Sequence, residues 1–237
     1  MPDLPVPGPA ARAIVWLGGA VFVVSLTIAL AGFYLGMPPA PTDANAVGAT
    51  LVNVFLFSAF ALHHSLFARA GIKRRLTAHV PPYLERSLYV WTSSLLLIVV
   101  IAGWQLVPGR LYDHRGWSAV PHWTAVLAGL WLTARATQVI DGLQLAGIRQ
   151  GLGKSISERF KVVGPYRLVR HPIYLGWVLI VFGVPDMTST RLAFAAISTA
   201  YLVIAIPFEE RSLVEAFGDE YVEYQRRVRW RVLPGVW

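Results

Sequence analysis

Residues 13–35 read AIVWLGGAVFVVSLTIALAGFYL, and this stretch contains no Asp, Glu, Lys or Arg. It exceeds both the roughly 18 apolar residues that mark a membrane-spanning helix and the roughly 7–15 residues of a signal-peptide core. Residues 46–68 and 87–107 are uncharged as well. Only 14% of the chain is charged, whereas soluble domains carry about 25%. The pattern predicts an all-α integral membrane protein whose first span is permanent.

Three further apolar segments follow. Residues 120–140 are interrupted only by Arg135, and residues 192–208 form a shorter run. As a helix, residues 172–185 would cover about 21 Å, less than the ~30 Å hydrocarbon core, so we expect this segment to enter the membrane without crossing it cleanly. The sequence therefore predicts five to six transmembrane or re-entrant helices.

The segments also predict how the chain is divided. Residues 1–12 are rich in proline and should form a flexible arm. Residues 13–140 should form a four-helix membrane bundle, and residues 141–237 a linker and a C-terminal unit of the same domain, which holds the candidate binding residues given below. Within that unit, residues 209–228 carry apolar side chains at helical spacing, which indicates a C-terminal cytosolic amphipathic helix.

The basic residues are distributed asymmetrically. A net charge of +8 could indicate nucleic-acid binding, but seventeen of the 21 Lys and Arg residues fall in segments that the predicted helices place on one side. The opposite loops hold only Arg110, Arg115 and Arg191. By the positive-inside rule both termini are cytoplasmic, so membrane lipid and not nucleic acid is the expected partner. The chain has no cysteine, which excludes disulfides, thiolate metal sites and a cysteine nucleophile.

Residues 164–176 read GPYRLVRHPIYLG and carry the first candidate site. Pro172 suits the first turn of a helix, so Arg170 and His171 should lie at a helix N-terminus near the cytoplasmic boundary. Such an end favours a carboxylate or a phosphate. Gly176, four residues after Pro172, would let a flat ligand approach the backbone.

Two adjacent carboxylates, Glu209 and Glu210, end the last apolar run. At a membrane boundary they could hold an ammonium group or ribose hydroxyls, or they could form a structural ion-pair network with Arg167 and Arg170. Together with the first segment they suit a ligand with a carboxylate, an ammonium group and a flat ring, as S-adenosylmethionine has. Aromatic faces could stabilise its cation, although anchoring in an aromatic belt explains them equally well. These faces belong to Tyr166, Tyr174 and Trp177.

The two segments resemble the signature of the isoprenylcysteine carboxyl methyltransferase and phospholipid methyltransferase superfamily. The matching residues are Arg170-His171-Pro172-x-Tyr174-x-Gly176 and Glu209-Glu210-x-x-Leu213-x-x-x-Phe217-Gly218-x-x-Tyr221-x-x-Tyr224. The resemblance implies that an S-adenosylmethionine pocket is lined by His171, Pro172, Tyr174, Gly176, Glu209 and Glu210. We add Tyr166 and Arg170 as candidate cofactor contacts.

Three earlier motifs are similar to the nurim family, which includes bacterial methanethiol S-methyltransferases. They are His63-His64-Ser65, Glu85-Arg86-Ser87-x-Tyr89 and Gly147-x-Arg149-Gln150, although Gly142 and Gln144 replace the His and Asp that those enzymes tend to carry. The resemblance implies methylation of a small thiol such as methanethiol to dimethyl sulfide, in a bacterial inner membrane. A lipid headgroup or a prenylated cysteine carboxylate as acceptor, and a non-catalytic nurim-like membrane protein, are the alternatives.

The thiol must lose a proton to become a nucleophile. We expect His63, His64 or Glu85 to be the base, and Arg86 or Arg135 to supply a positive field. Structural hydrogen bonding is the alternative for the histidines, with haem or metal ligation a further one. Adjacent residues on a helix point about 100° apart, so no metal site is expected.

Overall fold

The structure is a computed structural model that describes residues 8–67, 69–152 and 162–237. Over these residues the chain is mainly helical, with one short antiparallel pair of strands. The helices are α1 (Pro9–Leu35), α2 (Ala46–Phe67), α3 (Ala70–Thr77), α4 (Pro82–Gly103), α5 (Val120–Ile140), α6 (Gly142–Leu145), α7 (Ile148–Gly151), α8 (Pro172–Phe182), α9 (Ser189–Phe217) and α10 (Asp219–Arg227). The strands are β1 (Arg110–Asp113) and β2 (Asp186–Thr188), and 3₁₀ turns occupy Gly116–Ala119 and Gly164–Arg167.

Four of the described helices are long and apolar enough to cross a membrane, namely α1, α2, α4 and α9. This confirms the prediction of an all-α integral membrane protein. The 21 residues of α5 would extend about 32 Å, whereas the 11 residues of α8 extend only about 16 Å. The short segment predicted at residues 172–185 is therefore helical but shorter than a hydrocarbon core.

Several boundaries differ from the prediction. Helix α4 begins at Pro82, which places Glu85 in its first turn. Helix α9 continues to Phe217 with Pro207 in its interior, and the chain breaks at Gly218, whose φ of 56° is left-handed. The amphipathic helix predicted for residues 209–228 is thus the end of α9 followed by α10. The predicted arm lies partly outside the described residues, and its described end from Pro9 onward is helical.

The chain divides into two compact units. The first unit comprises Met1–Met37, Thr50–Gln105 and Asp141–Glu158, and the second comprises Pro38–Ala49, Leu106–Ile140 and Arg159–Trp237. The predicted boundary at residue 140 differs from this division. Helix α5 groups with the C-terminal helices because it packs on α8, and the segment after α5 groups with α1 and α4.

In the first unit, the short helices α6 and α7 pack on the N-terminal part of α1 and on α4. Val15 of α1 forms a buried cluster with Ala146 and Ile148. The link into this region turns at Asp141, whose φ is 77° and whose side chain accepts the Leu143 N–H at 3.0 Å. This packing holds the segment after α5 against the first turns of α4.

In the second unit, α5 and α8 approach closely at two glycines. A Cβ atom on Gly129 would lie 2.6 Å from the Gly176 carbonyl oxygen, and one on Gly176 would lie 2.2 Å from Thr133 Oγ1. Small residues allow such backbone contact between membrane helices. At the other end of α5, β1 pairs with β2, with Asp113 opposite Asp186. These contacts fix the position of α8, whose first turn carries the candidate site.

Candidate functional site

The first turn of α8 is anchored by the chain that follows α10. The N–H groups of Arg170 and His171 donate to the carbonyl oxygens of Trp230 and Arg231, at 2.9 and 2.8 Å. Pro172 follows as the first helical residue and is buried. The sequence suggested that backbone N–H groups at this helix end could bind an anion. Those of Arg170 and His171 instead donate to backbone carbonyl oxygens. The ligand-binding capacity of this region lies in its side chains.

Glu210 is the buried centre of an ion-pair network. Its side chain is only 6% exposed, and that of Arg170 is 7% exposed. Arg170 Nε donates to the Glu210 carboxylate at 2.6 Å. Arg231 Nε and Gln225 Nε2 reach the second carboxylate oxygen at 3.3 and 3.4 Å. Arg170 also donates to the carbonyl oxygens of Val228 and Arg229. These contacts are those of a structural ion pair between Glu210 and Arg170.

Glu209 is placed differently, because its side chain is 45% exposed. The Tyr174 hydroxyl donates to Glu209 Oε2 at 2.7 Å, and His171 Nδ1 lies 3.6 Å from the same oxygen. The His171 and Tyr174 rings stack with centroids 5.2 Å apart and planes 7° apart. We call these three residues the Glu209 cluster: an accessible carboxylate beside a flat pair of rings.

Tyr166 borders the Glu209 cluster from the 3₁₀ turn. Burial raises the pKa of its phenol above the ordinary value, and the negative charge of Glu209 raises it further. The ring is therefore neutral at physiological pH. The backbone carbonyl of Tyr166 accepts the Tyr224 hydroxyl at 2.8 Å, which ties the turn to α10. Tyr224 itself packs with Tyr221 and Val228 in a buried apolar cluster.

Two residues of the sequence motif have packing roles in the structure. Gly176 faces Thr133 and the Gly129 carbonyl on α5, so the close approach at this glycine is made by a helix. Trp177 donates its indole N–H to Ser198 Oγ at 3.0 Å and so joins α8 to α9. A role for Gly176 in ligand binding stays a prediction.

The first unit brings together several of the predicted acceptor-side residues around Tyr89. The Tyr89 hydroxyl lies 2.9 Å from His64 Nδ1, and the Arg86 guanidinium carbon lies 4.8 Å from the centre of the Tyr89 ring. His63 stacks on Phe67 with ring centroids 4.5 Å apart. We call His64, Tyr89 and Arg86 the Tyr89 cluster. Tyr89 ends the Glu-Arg-Ser-x-Tyr motif and lies one helical turn after Glu85 and Arg86, which is the sequence signal for its place in this cluster.

Three side chains in this region carry a buried polar atom that has no hydrogen-bond partner among the described residues. These atoms are Glu85 Oε1, Arg86 Nε and Gln150 Oε1. Gln150, which the sequence motifs do not single out as a site residue, ends the Gly-x-Arg-Gln motif, and its amide nitrogen lies 3.5 Å from the Gln144 carbonyl oxygen. Buried polar atoms are normally paired, so unpaired ones point to a bound ligand or water.

Arg135 belongs to the second unit. Its Nη1 donates to Gln138 Oε1 at 3.0 Å, and both side chains line a cavity of ≈ 330 Å³. The predicted acceptor-side residues therefore belong to both compact units, with Arg135 in the second and the others in the first. Among the described residues, no group of three or more His, Asp or Glu side chains could hold a metal ion.

The fold defines a membrane protein with several long helices, and a cluster of polar and aromatic side chains lies at the N-terminal end of α8. The family model "Phospholipid methyltransferase" matches residues 123–220. Methanethiol S-methyltransferase 2 of Bradyrhizobium diazoefficiens is 37% identical over 223 residues, covering 88% of this chain and 84% of the relative. The Mycobacterium tuberculosis methanethiol S-methyltransferase is 39% identical, covering 76% of each chain, and Nurim of Xenopus laevis is 33% identical over 64% of this chain and 58% of its own. No solved structure matches.

This chain belongs to the methanethiol S-methyltransferase family of membrane methyltransferases. The family resemblance inferred from the sequence motifs is thereby confirmed. The matched region of the family model contains both α8 and the Glu209–Glu210 pair.

Proposed function

We propose that this protein transfers a methyl group from S-adenosylmethionine to a small thiol such as methanethiol, producing dimethyl sulfide. The observation that carries the proposal is the Glu209 cluster, found in a chain more than one third identical to named methanethiol S-methyltransferases over most of its length. Its accessible carboxylate and flat rings suit a ligand with cationic, hydroxyl and aromatic groups.

The Glu209 cluster fits the methyl donor in its chemistry. The Glu209 carboxylate can accept hydrogen bonds from an ammonium group or from ribose hydroxyls. The ring of Tyr174 and the neutral ring of Tyr166 can stabilise a positive charge through their faces. His171 is held between Glu209 Oε2 and Glu210 Oε1, at 3.6 and 3.3 Å, so its ring is fixed before a ligand arrives.

When bound, the donor supplies a methyl group already activated on a positively charged sulfur. The protein therefore has to hold donor and acceptor in line and exclude water. The buried pair of Arg170 and Glu210 keeps the first turn of α8 and the end of α9 together, which positions Glu209 next to Tyr174. In this arrangement Glu210 is a positioning residue and Glu209 a ligand contact.

We assign the acceptor to the Tyr89 cluster. The bound donor would supply the methyl group and leave as a neutral thioether, the thiol sulfur would form the new bond to the methyl carbon, and the thiol proton would pass to a base. His64, hydrogen-bonded to the Tyr89 hydroxyl, is the proposed base, with His63 and Glu85 as the other candidates. The Arg86 guanidinium provides a positive field that favours the thiolate.

A second candidate function is methylation of a lipid headgroup or a prenylated carboxylate, which the match to the phospholipid methyltransferase model favours. The likeness to Nurim keeps a non-catalytic membrane role as a third interpretation. Binding of S-adenosylmethionine separates the enzymes from the non-catalytic role. Acceptor panels then separate thiols from lipids.

We also propose that both termini face the cytoplasm of a bacterial cell and that the protein resides in the inner membrane. The asymmetry of basic residues supports this orientation, because the positive-inside rule places basic segments in the cytoplasm. Two of these segments, residues 149–170 and 211–231, flank the Glu209 cluster in the chain. The donor would then reach the site from the cytoplasm.

The proposed donor site is tested by calorimetric titration of the purified full-length protein with S-adenosylmethionine. We expect binding that weakens on the order of tenfold or more in Glu209→Gln, because a charged hydrogen-bond partner is lost. Gln225→Ala serves as a matched control, since Gln225 contacts the buried carboxylate of Glu210 and not Glu209. Equal affinity in the wild type and Glu209→Gln would contradict the assignment.

A further inference from the structure

A cavity beside Arg135 is lined by residues that belong to neither the Glu209 cluster nor the Tyr89 cluster. It is lined by the charged Arg135, the amide of Gln138, the backbone turn at Gly164 and the apolar side chains of Val139, Val163 and Pro165. At ≈ 330 Å³ it is roughly ten times the share of one liquid water molecule, about 30 Å³. A two-heavy-atom thiol would fill only a small part of it.

The charge of Arg135 is not compensated by an acidic side chain. Its polar contact is with the neutral Gln138, and among the described residues no carboxylate is paired with its guanidinium. Arg135 is exposed and lies five residues before the C-terminal end of α5 at Ile140, where a long cationic side chain can reach a headgroup region. An anionic group suits this charge.

The exposed face of α5 shows which kind of anion fits. Trp123, Leu127 and Trp131 follow one another at four-residue spacing and are 46%, 64% and 64% exposed. The next positions on the same face are Arg135 and Gln138. The opposite face, with Gly129 and Ala136, is buried and carries the contact with α8. An apolar stripe therefore leads directly to the cationic cavity.

We propose that this cavity binds the phosphate of an anionic phospholipid, whose acyl chains lie along Leu127 and Trp131. Arg135 and Gln138 donate to the phosphate oxygens, and the apolar wall at Val139 and Val163 covers the glycerol backbone. Basic pockets at the cytoplasmic ends of membrane helices recognise anionic headgroups in this way. The proposal does not depend on methyl transfer.

An arginine that only extends to the headgroup region would not retain a particular lipid after extraction into detergent. We therefore test retention by native mass spectrometry of the full-length protein titrated with dioleoyl phosphatidylglycerol or dioleoyl phosphatidylcholine. We expect one bound phosphatidylglycerol, preferred over phosphatidylcholine on the order of tenfold. Arg135→Gln should abolish the preference, and Arg135→Lys should keep most of it.

Two further variants keep the test decisive. Gln138→Glu places a carboxylate beside Arg135 and should remove the preference even if Arg135→Gln does not fold. Arg115→Gln changes an 82% exposed arginine that precedes the other end of α5, and should leave the preference intact. Equal retention of both lipids by the wild type would overturn the proposal, as would an unchanged preference in both Arg135→Gln and Gln138→Glu.

Two competing ligands distinguish the source of the anion. If inorganic phosphate at millimolar concentration displaces phosphatidylglycerol completely, the site binds free anions and the lipid assignment is wrong. If Arg135→Gln weakens S-adenosylmethionine binding and leaves phosphatidylglycerol retention unchanged, the cavity serves the methyl donor and the proposal fails, while the proposed function stands. Loss of lipid preference with intact donor binding supports the proposal.

Discussion

Glu209 and Glu210 are adjacent in sequence, yet their isosteric replacement by glutamine should affect different properties. Glu210 is 6% exposed and is the carboxylate partner of Arg170, which is 7% exposed. Glu210→Gln leaves the Arg170 charge buried without that carboxylate, and breaking a buried pair in this way costs about 3–5 kcal/mol of stability. Glu209 is 45% exposed, so Glu209→Gln should cost at most about 1 kcal/mol.

Affinity for S-adenosylmethionine should show the reverse pattern. Glu209→Gln should lose about 1.5–3 kcal/mol of binding free energy because a carboxylate that contacts the ligand becomes neutral. Thermal unfolding in detergent measures the stability difference, and calorimetric titration at a temperature where both variants are folded measures affinity. A large loss of stability in Glu209→Gln with unchanged stability in Glu210→Gln would refute this division of roles.

Three other consequences can be measured with single changes. His64→Ala and Tyr89→Phe should each reduce turnover with methanethiol about tenfold or more while leaving S-adenosylmethionine affinity intact. If His64 is the base, the defect of His64→Ala should shrink at higher pH. Full turnover in both variants would make these residues structural. Gly176→Ala should lower stability by about 1–3 kcal/mol because its Cβ would lie 2.2 Å from Thr133 Oγ1, which chemical denaturation in micelles can test. A reporter fused after Trp237 should be active in the cytoplasm, and activity only outside would reverse the proposed orientation.

The long helices could be predicted from the sequence because uncharged apolar runs are sufficient to identify spanning segments. The end of α9 could not, since Pro207 usually ends a helix in water but is tolerated inside a membrane helix. The actual break at Gly218 depends on a left-handed backbone that the sequence alone does not reveal. The grouping of α5 with the C-terminal helices could not be predicted either, because it depends on the packing of α5 on α8.

The candidate site was predicted in part. The pairing of Arg170 with a glutamate was foreseen as an alternative, but the sequence could not distinguish Glu209 from Glu210, since their exposure depends on the return of residues 228–231 to the first turn of α8. The packing role of Gly176 was missed. Its signal was Gly129, a second small residue in the 21-residue helix α5, because small residues are typical of close helix contacts.

Isotopic labelling of the product shows directly whether the protein transfers a methyl group from S-adenosylmethionine to methanethiol. The purified protein is incubated with S-adenosylmethionine that carries a trideuterated methyl group and with unlabelled methanethiol, and the headspace is analysed by mass spectrometry. We expect dimethyl sulfide with one trideuterated and one ordinary methyl group, at a rate strongly reduced in Glu209→Gln. Absence of this product, with label appearing instead in a phospholipid or a prenylated acceptor or remaining in the donor, would contradict it.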